Sequence, residues 1–268
     1  MSTIQLEDIS VAYNDTEVGM PCVFIHGHPF NRTMWNDQIG GLATACRVIV
    51  PDLRGYGETT VISWKTLLED FARDLARLLD ALKVDQIVLG GLSMGGQIVL
   101  EFYRLFPQRV TALILADTFA QGETEEGYRQ RYEMADRLVR EGMQPYADEV
   151  LPKMVSKSTI IKHPDIADRV LEMMQTTAPE GAAAALRGRA ERPDYTGLLS
   201  LITVPTLIVV GREDEFTPIS DAEFMNEKIP NSRLIIIDDA GHMPNMECAN
   251  VFNQAVLEFL THLPHFNE

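Results

Sequence analysis

The chain moves between two hydrophobic rhythms, and their order predicts the fold. At the start, IQLEDI and SVAYN alternate apolar and polar positions with no helical stretch between them, the pattern of a hairpin at a sheet edge. CVFIHG and RVIVPD are short continuous apolar runs, which mark parallel strands covered on both faces. Over residues 66–82 the period becomes helical. Leu68, Phe71, Leu75, Leu79 and Leu82 fall on one stripe, and Thr66 with Glu69 reads as a capping box at its start. The strand pattern DQIVLGGLS then passes directly into the helical MGGQIVLEFYRLF. TALILAD follows, then TLIVVG, a helix over 219–228, RLIIIDD, and a last amphipathic helix over about 249–262. This alternation predicts an α/β fold with a mostly parallel, doubly wound sheet.

One stretch breaks the rhythm. Residues 118–195 carry no strand pattern and many helix formers, among them the segment GAAAALRGRAERPDY. An insertion of this kind between two core units predicts a helical cap. The chain then divides into a first core segment over residues 1–117, a cap over 118–195 and a second core segment over 196–268. Met154, Met173 and Met174 are apolar candidates for the inner face of the cap, as pocket lining or as packing against the core. Arg187, Arg189 and Arg192 read most simply as a solvated helix face, with contact to a substrate carboxylate as the alternative.

Composition narrows the function classes. At 268 residues, with 46% hydrophobic and 23% charged, the chain is long enough for a sizeable core and unlike a disordered segment. No apolar run approaches the length of a membrane-spanning helix, and residues 1–10 lack the basic start and apolar run of a secretory signal. Cys22, Cys46 and Cys248 are widely scattered, fit neither a disulfide framework nor a zinc pattern, and point to a reducing cytoplasm. A net charge of −16, from 39 acidic and 23 basic residues, repels nucleic acid and anionic membranes. The expected partner is therefore a small molecule.

The chemistry centres on Gly91-Leu92-Ser93-Met94-Gly95, which matches the nucleophile elbow G-x-S-x-G and lies between a predicted strand and a predicted helix. Glycines are needed where the chain turns from strand to helix in one residue, because side chains there would strike the neighbouring strand and helix. A serine hydroxyl needs a base within hydrogen-bond reach. His242 is the candidate, because it follows the strand RLIIIDD through Ala240-Gly241 and so falls at the carboxyl edge that bears Ser93. His163 falls in the cap, and His262 and His265 fall in or beyond the last helix. The orienting acid is assigned to Asp214 in GREDEFTP, at the tip of the loop after TLIVVG, with Asp117 as its rival. Acyl transfer also needs oxyanion donors. They are expected from the backbone N–H groups of Met94 and of His28 in HGHPF. His26 reads as a loop brace rather than a metal ligand, because no carboxylate or cysteine lies at ligand spacing nearby. In DLRGYG, Asp52 and Arg54 read as structural, and the segment lacks the pattern of a phosphate cradle.

Taken together and in order, HGHPF, DLRGYG, GLSMGG, GREDEFTP and AGHMPNME resemble the α/β-hydrolase superfamily across essentially the whole chain. The resemblance is strongest to its bacterial esterase, enol-lactonase and cofactor-free haloperoxidase branch. It implies an eight-stranded sheet, a helical cap, and hydrolysis through an acyl-enzyme with no cofactor or metal. It carries the nucleophile to Ser93, the acid to Asp214, the base to His242, and the oxyanion amides to His28 and Met94. His28 stands where members of this branch often carry a bulky apolar residue, a departure that bears on the shape and polarity of the pocket. Serine at position 93 departs from the dehalogenases and epoxide hydrolases, which use a carboxylate nucleophile. The implied activity is hydrolysis of small or medium carboxylic esters. A lactone substrate, or peroxide in place of water, would use the same triad. A non-catalytic ligand receptor on this fold would not need to keep all three residues.

Overall fold

The computed structural model describes residues 1–263. Its eight strands are β1 (Ser2–Gln5), β2 (Ser10–Asp15), β3 (Pro21–Ile25), β4 (Arg47–Pro51), β5 (Ile87–Leu92), β6 (Val110–Ala116), β7 (Thr206–Gly211) and β8 (Ser232–Ile237). They form one sheet in the order β1-β2-β4-β3-β5-β6-β7-β8. The predicted hairpin is β1–β2, antiparallel with Ile4 opposite Val11, and β2 joins β4 antiparallel. All later pairings are parallel.

The apolar runs in the central strands are continuous because both faces are covered. In β5, Leu89 faces the side packed by α2 (Leu68–Ala81), α3 (Met94–Leu105) and α10 (Ile219–Lys228). Its neighbour Val88 faces the other side, packed by α1 (Asn36–Leu42) and α12 (Ala249–Thr261). The same alternation sends Leu113 and Ile208 to the first layer, and Ile114 and Leu207 to the second. Each inward side chain on a strand therefore joins one of two cores, as the period of two requires.

The helical stripe of residues 66–82 is buried at Leu68, Phe71, Leu75 and Leu79, with Leu82 packed at its margin. The helix cap lies one residue later than the sequence predicts, and only the acid's half of the box is made. Asp70 accepts from the Leu67 backbone N–H at 2.8 Å, while the Thr66 N–H is already committed to the Ala184 carbonyl at 3.0 Å. The tertiary bond fixes Thr66 outside the helix and moves the start.

Between β6 and β7 lie α4 (Glu125–Glu141), α5 (Met143–Met154), α6 (Lys157–Lys162), α7 (Pro164–Thr176), α8 (Pro179–Ala190) and α9 (Thr196–Leu199). Helix α8 is not solvated on any face from Gly181 to Ala190. Ala182, Ala183 and Leu186 pack with Ala135 and Leu138 of α4, and the small residues let core loops approach its opposite side. A Cβ at Gly188 would sit 1.6 Å from the Thr66 carbonyl oxygen, which is backbone and cannot rotate away. Gly188→Ala should therefore destabilise the fold by about 1–3 kcal/mol through overpacking. Gly197, with open space where its Cβ would be, should accept alanine with little change. Urea denaturation of both variants decides it, and equal midpoints would remove the close approach as a constraint.

Candidate active site

Ser93 joins β5 to α3 with φ 59° and ψ −118°, the left-handed region that a serine rarely adopts. The crowding that calls for glycines is visible in the distances. A Cβ on Gly91 would lie 2.4 Å from the Gly95 carbonyl carbon, and one on Gly95 would lie 2.2 Å from the Ile25 carbonyl oxygen at the end of β3. The Ser93 N–H donates to the Ala116 carbonyl at 2.9 Å, and the Thr118 hydroxyl donates to the Ser93 carbonyl at 2.8 Å. Both bonds lock the turn to the end of β6. Among the described residues, the backbone N–H groups of His28 and Met94 have no acceptor. Met94 is also the first residue of α3, where the helix dipole is positive.

His242 follows β8 and is 2% exposed. Its Nδ1–H donates to Asp214 Oδ2 at 2.8 Å, so the ring meets the carboxylate after β7 and not Asp117 after β6. Asp214 is held in turn by the N–H groups of Phe216 and Thr217, at 2.8 and 3.2 Å to Oδ1, and by the Thr217 hydroxyl. Burial pushes the Asp214 carboxyl up, but the adjacent His242 and these donors outweigh it and hold the net value below the usual carboxylate range. Asp117 goes the other way. Burial first, and then the charge of Asp214, push it well above that range, although the Gly211 N–H donates to Oδ1 at 2.8 Å. Asp117, Asp214 and His242 bring their polar atoms within 4.8 Å of one another, a spacing that could suit a metal. Within this cluster His242 Nδ1 is already bonded to Asp214, and the two carboxyls are pushed in opposite directions, Asp117 upward and Asp214 downward.

Ser93 and His242 both line a cavity of about 200 Å³. Among the described residues, the Ser93 hydroxyl makes no hydrogen bond to His242. Catalytic contacts of this kind are often long without substrate. Phe119, Met154, Leu186 and Phe216 form the apolar wall, and His28, Tyr146, Arg131 and Arg189 the polar one. Of the three methionines singled out in the cap, Met154 alone reaches this cavity. Met173 lines a separate surface groove with Thr33 and Arg169, and Met174 is fully buried in the core.

The solvated-face expectation for the three cap arginines is overturned. Arg187, Arg189 and Arg192 are only 8%, 8% and 7% exposed, because α8 packs between α4 and the core loops. Arg187 stacks on Trp64 and pairs with Asp136 at 2.6 Å, while Arg192 stacks on Phe119 and pairs with Glu123. Arg189 lines the cavity.

Other expectations stand as positioned. His26 is a brace, its Nδ1–H donating to the Gly27 carbonyl at 2.9 Å and its Nε2 accepting from Leu53 N–H at 3.0 Å. Asp52 accepts from the N–H groups of Arg32 and Glu58, and Arg54 pairs with Asp74 on α2. His163 and His262 are on the surface, and His265 lies outside the described residues. Sequence reading missed Glu247, on the short α11 (Pro244–Glu247) within AGHMPNME. Its carboxylate accepts from Gly241 N–H at 2.9 Å and Met243 N–H at 3.2 Å, either side of His242. It also accepts from Ser156 N–H and the Thr159 hydroxyl, each at 2.7 Å, and so ties the histidine loop to α6. An acid five residues after the histidine was the signal in the chain.

A serine at a strained strand-to-helix turn, sharing a cavity with a carboxylate-backed histidine, is an arrangement for acyl transfer and places the protein among the hydrolases. The chain belongs to the alpha/beta hydrolase family, whose alpha/beta hydrolase fold profile matches residues 21–249. It is similar to a thermophilic esterase from Thermogutta terrifontis, solved with malate bound. The two are 42% identical, with a TM-score of 0.93 over 94% of this chain and 93% of that one. It is also similar to 3-oxoadipate enol-lactonase 1 of Acinetobacter baylyi, 29% identical over 96% of this chain and 94% of the relative. A hydrolase from Pseudomonas aeruginosa is 28% identical, with a TM-score of 0.88 over 97% of each chain. The protein is a hydrolase acting on carboxylic esters. No helix among the described residues is long and apolar enough to cross a membrane.

The opposed shifts of the two aspartates have a measurable consequence. A carboxyl whose pKa rises on folding must take up a proton that the unfolded chain has released, so it lowers stability as pH climbs above its ordinary value. Asp214, with a depressed pKa, does the reverse, and its stabilisation disappears as pH falls through its folded value. Asp117→Asn keeps the acceptor for Gly211 and removes the proton uptake. The variant should melt above wild type at pH 7–8, and the gap should close as pH falls towards 4. A gap that stays constant across thermal melts at these pH values would show that Asp117 is not held protonated.

Proposed function

We propose that the protein hydrolyses small to medium carboxylic esters through an acyl-enzyme formed on Ser93. The observation that carries this is the 2.8 Å Asp214–His242 pair, set in the cavity into which the strained Ser93 also opens. Ser93 Oγ attacks the ester carbonyl while His242 Nε2 accepts its proton. Asp214 holds the Nδ1–H tautomer and balances the imidazolium. The backbone N–H groups of His28 and Met94 receive the developing oxyanion. His242 then returns the proton to the leaving alkoxide, and water attacks the acyl-enzyme by the same route in reverse. Burial and the charge of Asp214 push the Asp117 carboxyl beside this relay towards its protonated form.

A lactone is a second reading, favoured by the similarity to an enol-lactonase over nearly the whole of both chains. The steps are the same, but the leaving alkoxide stays tethered to the acyl group. Helices α4, α5 and α8 supply one wall of the cavity through Arg131, Tyr146, Met154, Leu186 and Arg189, so substrate choice is set there while the bond-breaking groups lie at the ends of the strands.

A fluorophosphonate should label Ser93 and no other residue, read by mass spectrometry of the folded enzyme. Ser93→Ala should fold normally and lose roughly 10³-fold or more in kcat. Asp214→Asn should lower kcat by about 10⁴ by selecting the wrong imidazole tautomer. Asp117→Asn should lower it far less, and the opposite ranking would move the acid to Asp117.

The cap assignment has its own test. Met154→Ala should change the order of kcat/KM among acetate, butyrate and aryl esters. Met173→Ala and Met174→Ala, away from the cavity, should change thermal stability but not that order. Reordering by all three, or by none, would take specificity out of this wall.

A further inference from the structure

Charge on the cap side of the cavity is one-sided. Arg189 leaves α8 buried, and its partner in the protein is neutral, with Nε donating to Gln97 Oε1 at 3.2 Å. Arg131, from α4, lines the same cavity and shares the Glu123 carboxylate with Arg192. Among the described residues, three guanidiniums therefore face one carboxylate. A guanidinium is the side chain least able to shed its proton. Burial, followed by the charges of Arg131 and Arg192, nonetheless pushes Arg189 well below the usual arginine range. A cation buried this way, with no anion opposite, destabilises the fold that holds it.

His28 supplies an independent observation. The Tyr56 hydroxyl is kept protonated by burial and lies 2.8 Å from His28 Nδ1. In the tautomer that accepts from Tyr56, the ring's own proton is on Nε2, which is buried without a partner among the described residues, although the ring lines the cavity. Arg189, Arg131 and His28 then offer donors and no acceptor. A planar anion with several lone pairs is the matching ligand. The surrounding field selects among anions. With a net charge of −16 the exterior opposes a dianion more than a monoanion, and about 200 Å³ must also hold the reacting ester.

We propose that the preferred substrates are esters carrying one free carboxylate, short half-esters of dicarboxylic acids, whose carboxylate is bound by Arg189 and Arg131 while the ester carbonyl sits at Ser93. This rests on Ser93 being the hydrolytic centre. The half-ester is cleaved as any ester is, and the acid product leaves as a dicarboxylate.

Monoethyl glutarate and ethyl valerate test it directly, because they differ only in a carboxylate for a terminal methyl. Wild type should prefer the half-ester by at least about 10-fold in kcat/KM. Arg189→Gln should lower that preference ratio by about 100-fold, mainly through KM. Arg131→Gln, at the more exposed arginine, should lower it less. Glutarate should raise the Tm of wild type and of Ser93→Ala but not of Arg189→Gln. Without glutarate, Arg189→Gln should melt no lower than wild type, an outcome that an arginine serving only the fold would not give. Equal kcat/KM on the two esters, with no glutarate-induced rise in Tm, overturns the proposal, and cleavage of ethyl valerate then leaves the ester hydrolase itself standing. Failure to cleave either ester, with glutarate stabilisation that still depends on Arg189, upholds the anion site and removes Ser93 from the hydrolytic role.

Discussion

The close approach of the β5–α3 turn to the end of β3 is the constraint on which the site depends. No side chain fits at Gly91 or Gly95, and Ser93 between them is held at a positive φ. A single serine in this conformation is strained by about 1–3 kcal/mol and persists only where its surroundings fix it. The bonds from Ser93 N–H to Ala116 and from Thr118 to the Ser93 carbonyl do this fixing, and they bring in β6. The same approach brings Gly27, just past β3, against Leu92 and Ser93, with His28 next in the chain. One packing contact thus joins the Ser93 turn to the loop carrying His28, whose backbone N–H, like that of Met94, has no acceptor among the described residues.

Electrostatics distinguishes the two carboxyls that sequence order alone left open. Asp117 and Asp214 end neighbouring parallel strands, and two carboxylates so close cannot both stay ionised. Asp214 has three donors and His242, whereas Asp117 has one backbone donor and a buried oxygen without a partner. Ionisation is favoured at Asp214 over Asp117 for that reason. Glu247 completes the arrangement from below by clamping the N–H groups on both sides of His242, so the ring is positioned by its backbone as well as by its acid.

Much of this was legible in the sequence because it is governed by local rules. Runs such as IVLGGL are apolar at every position when a parallel strand is covered on both faces, and β5 is buried throughout. The elbow glycines are dictated by backbone contact, so they appear as a fixed pattern. The start of α2 was misplaced by one residue because a bond to Ala184, more than a hundred residues away, decided where Thr66 sits. Met173 and Met174 were candidates for a pocket that they do not reach. Nothing in a helical period says which buried stripe of a cap faces a cavity and which faces its neighbours.

Arg187 and Arg189 of α8, with Arg192 just beyond it, show why composition misleads in a cap. Arg-x-Arg-x-x-Arg in a helix beside alanines reads as a solvated edge, because charged residues are seldom buried unless paired. The alanines and glycines are the better clue. Ala182, Ala183, Gly181 and Gly188 remove side-chain bulk all round the helix, which lets α4 and the core loops close over it. Once α8 is enclosed, its two arginines and Arg192 just beyond it must each find a counter-charge or a use. Arg187 takes Asp136 and Arg192 takes Glu123, both supplied by neighbouring segments of the cap. Arg189 is left facing the cavity with a neutral amide. A chain that is acidic overall had carboxylates in excess to place there, and the position of this cation in the cavity that Ser93 also lines is therefore where packing and chemistry meet.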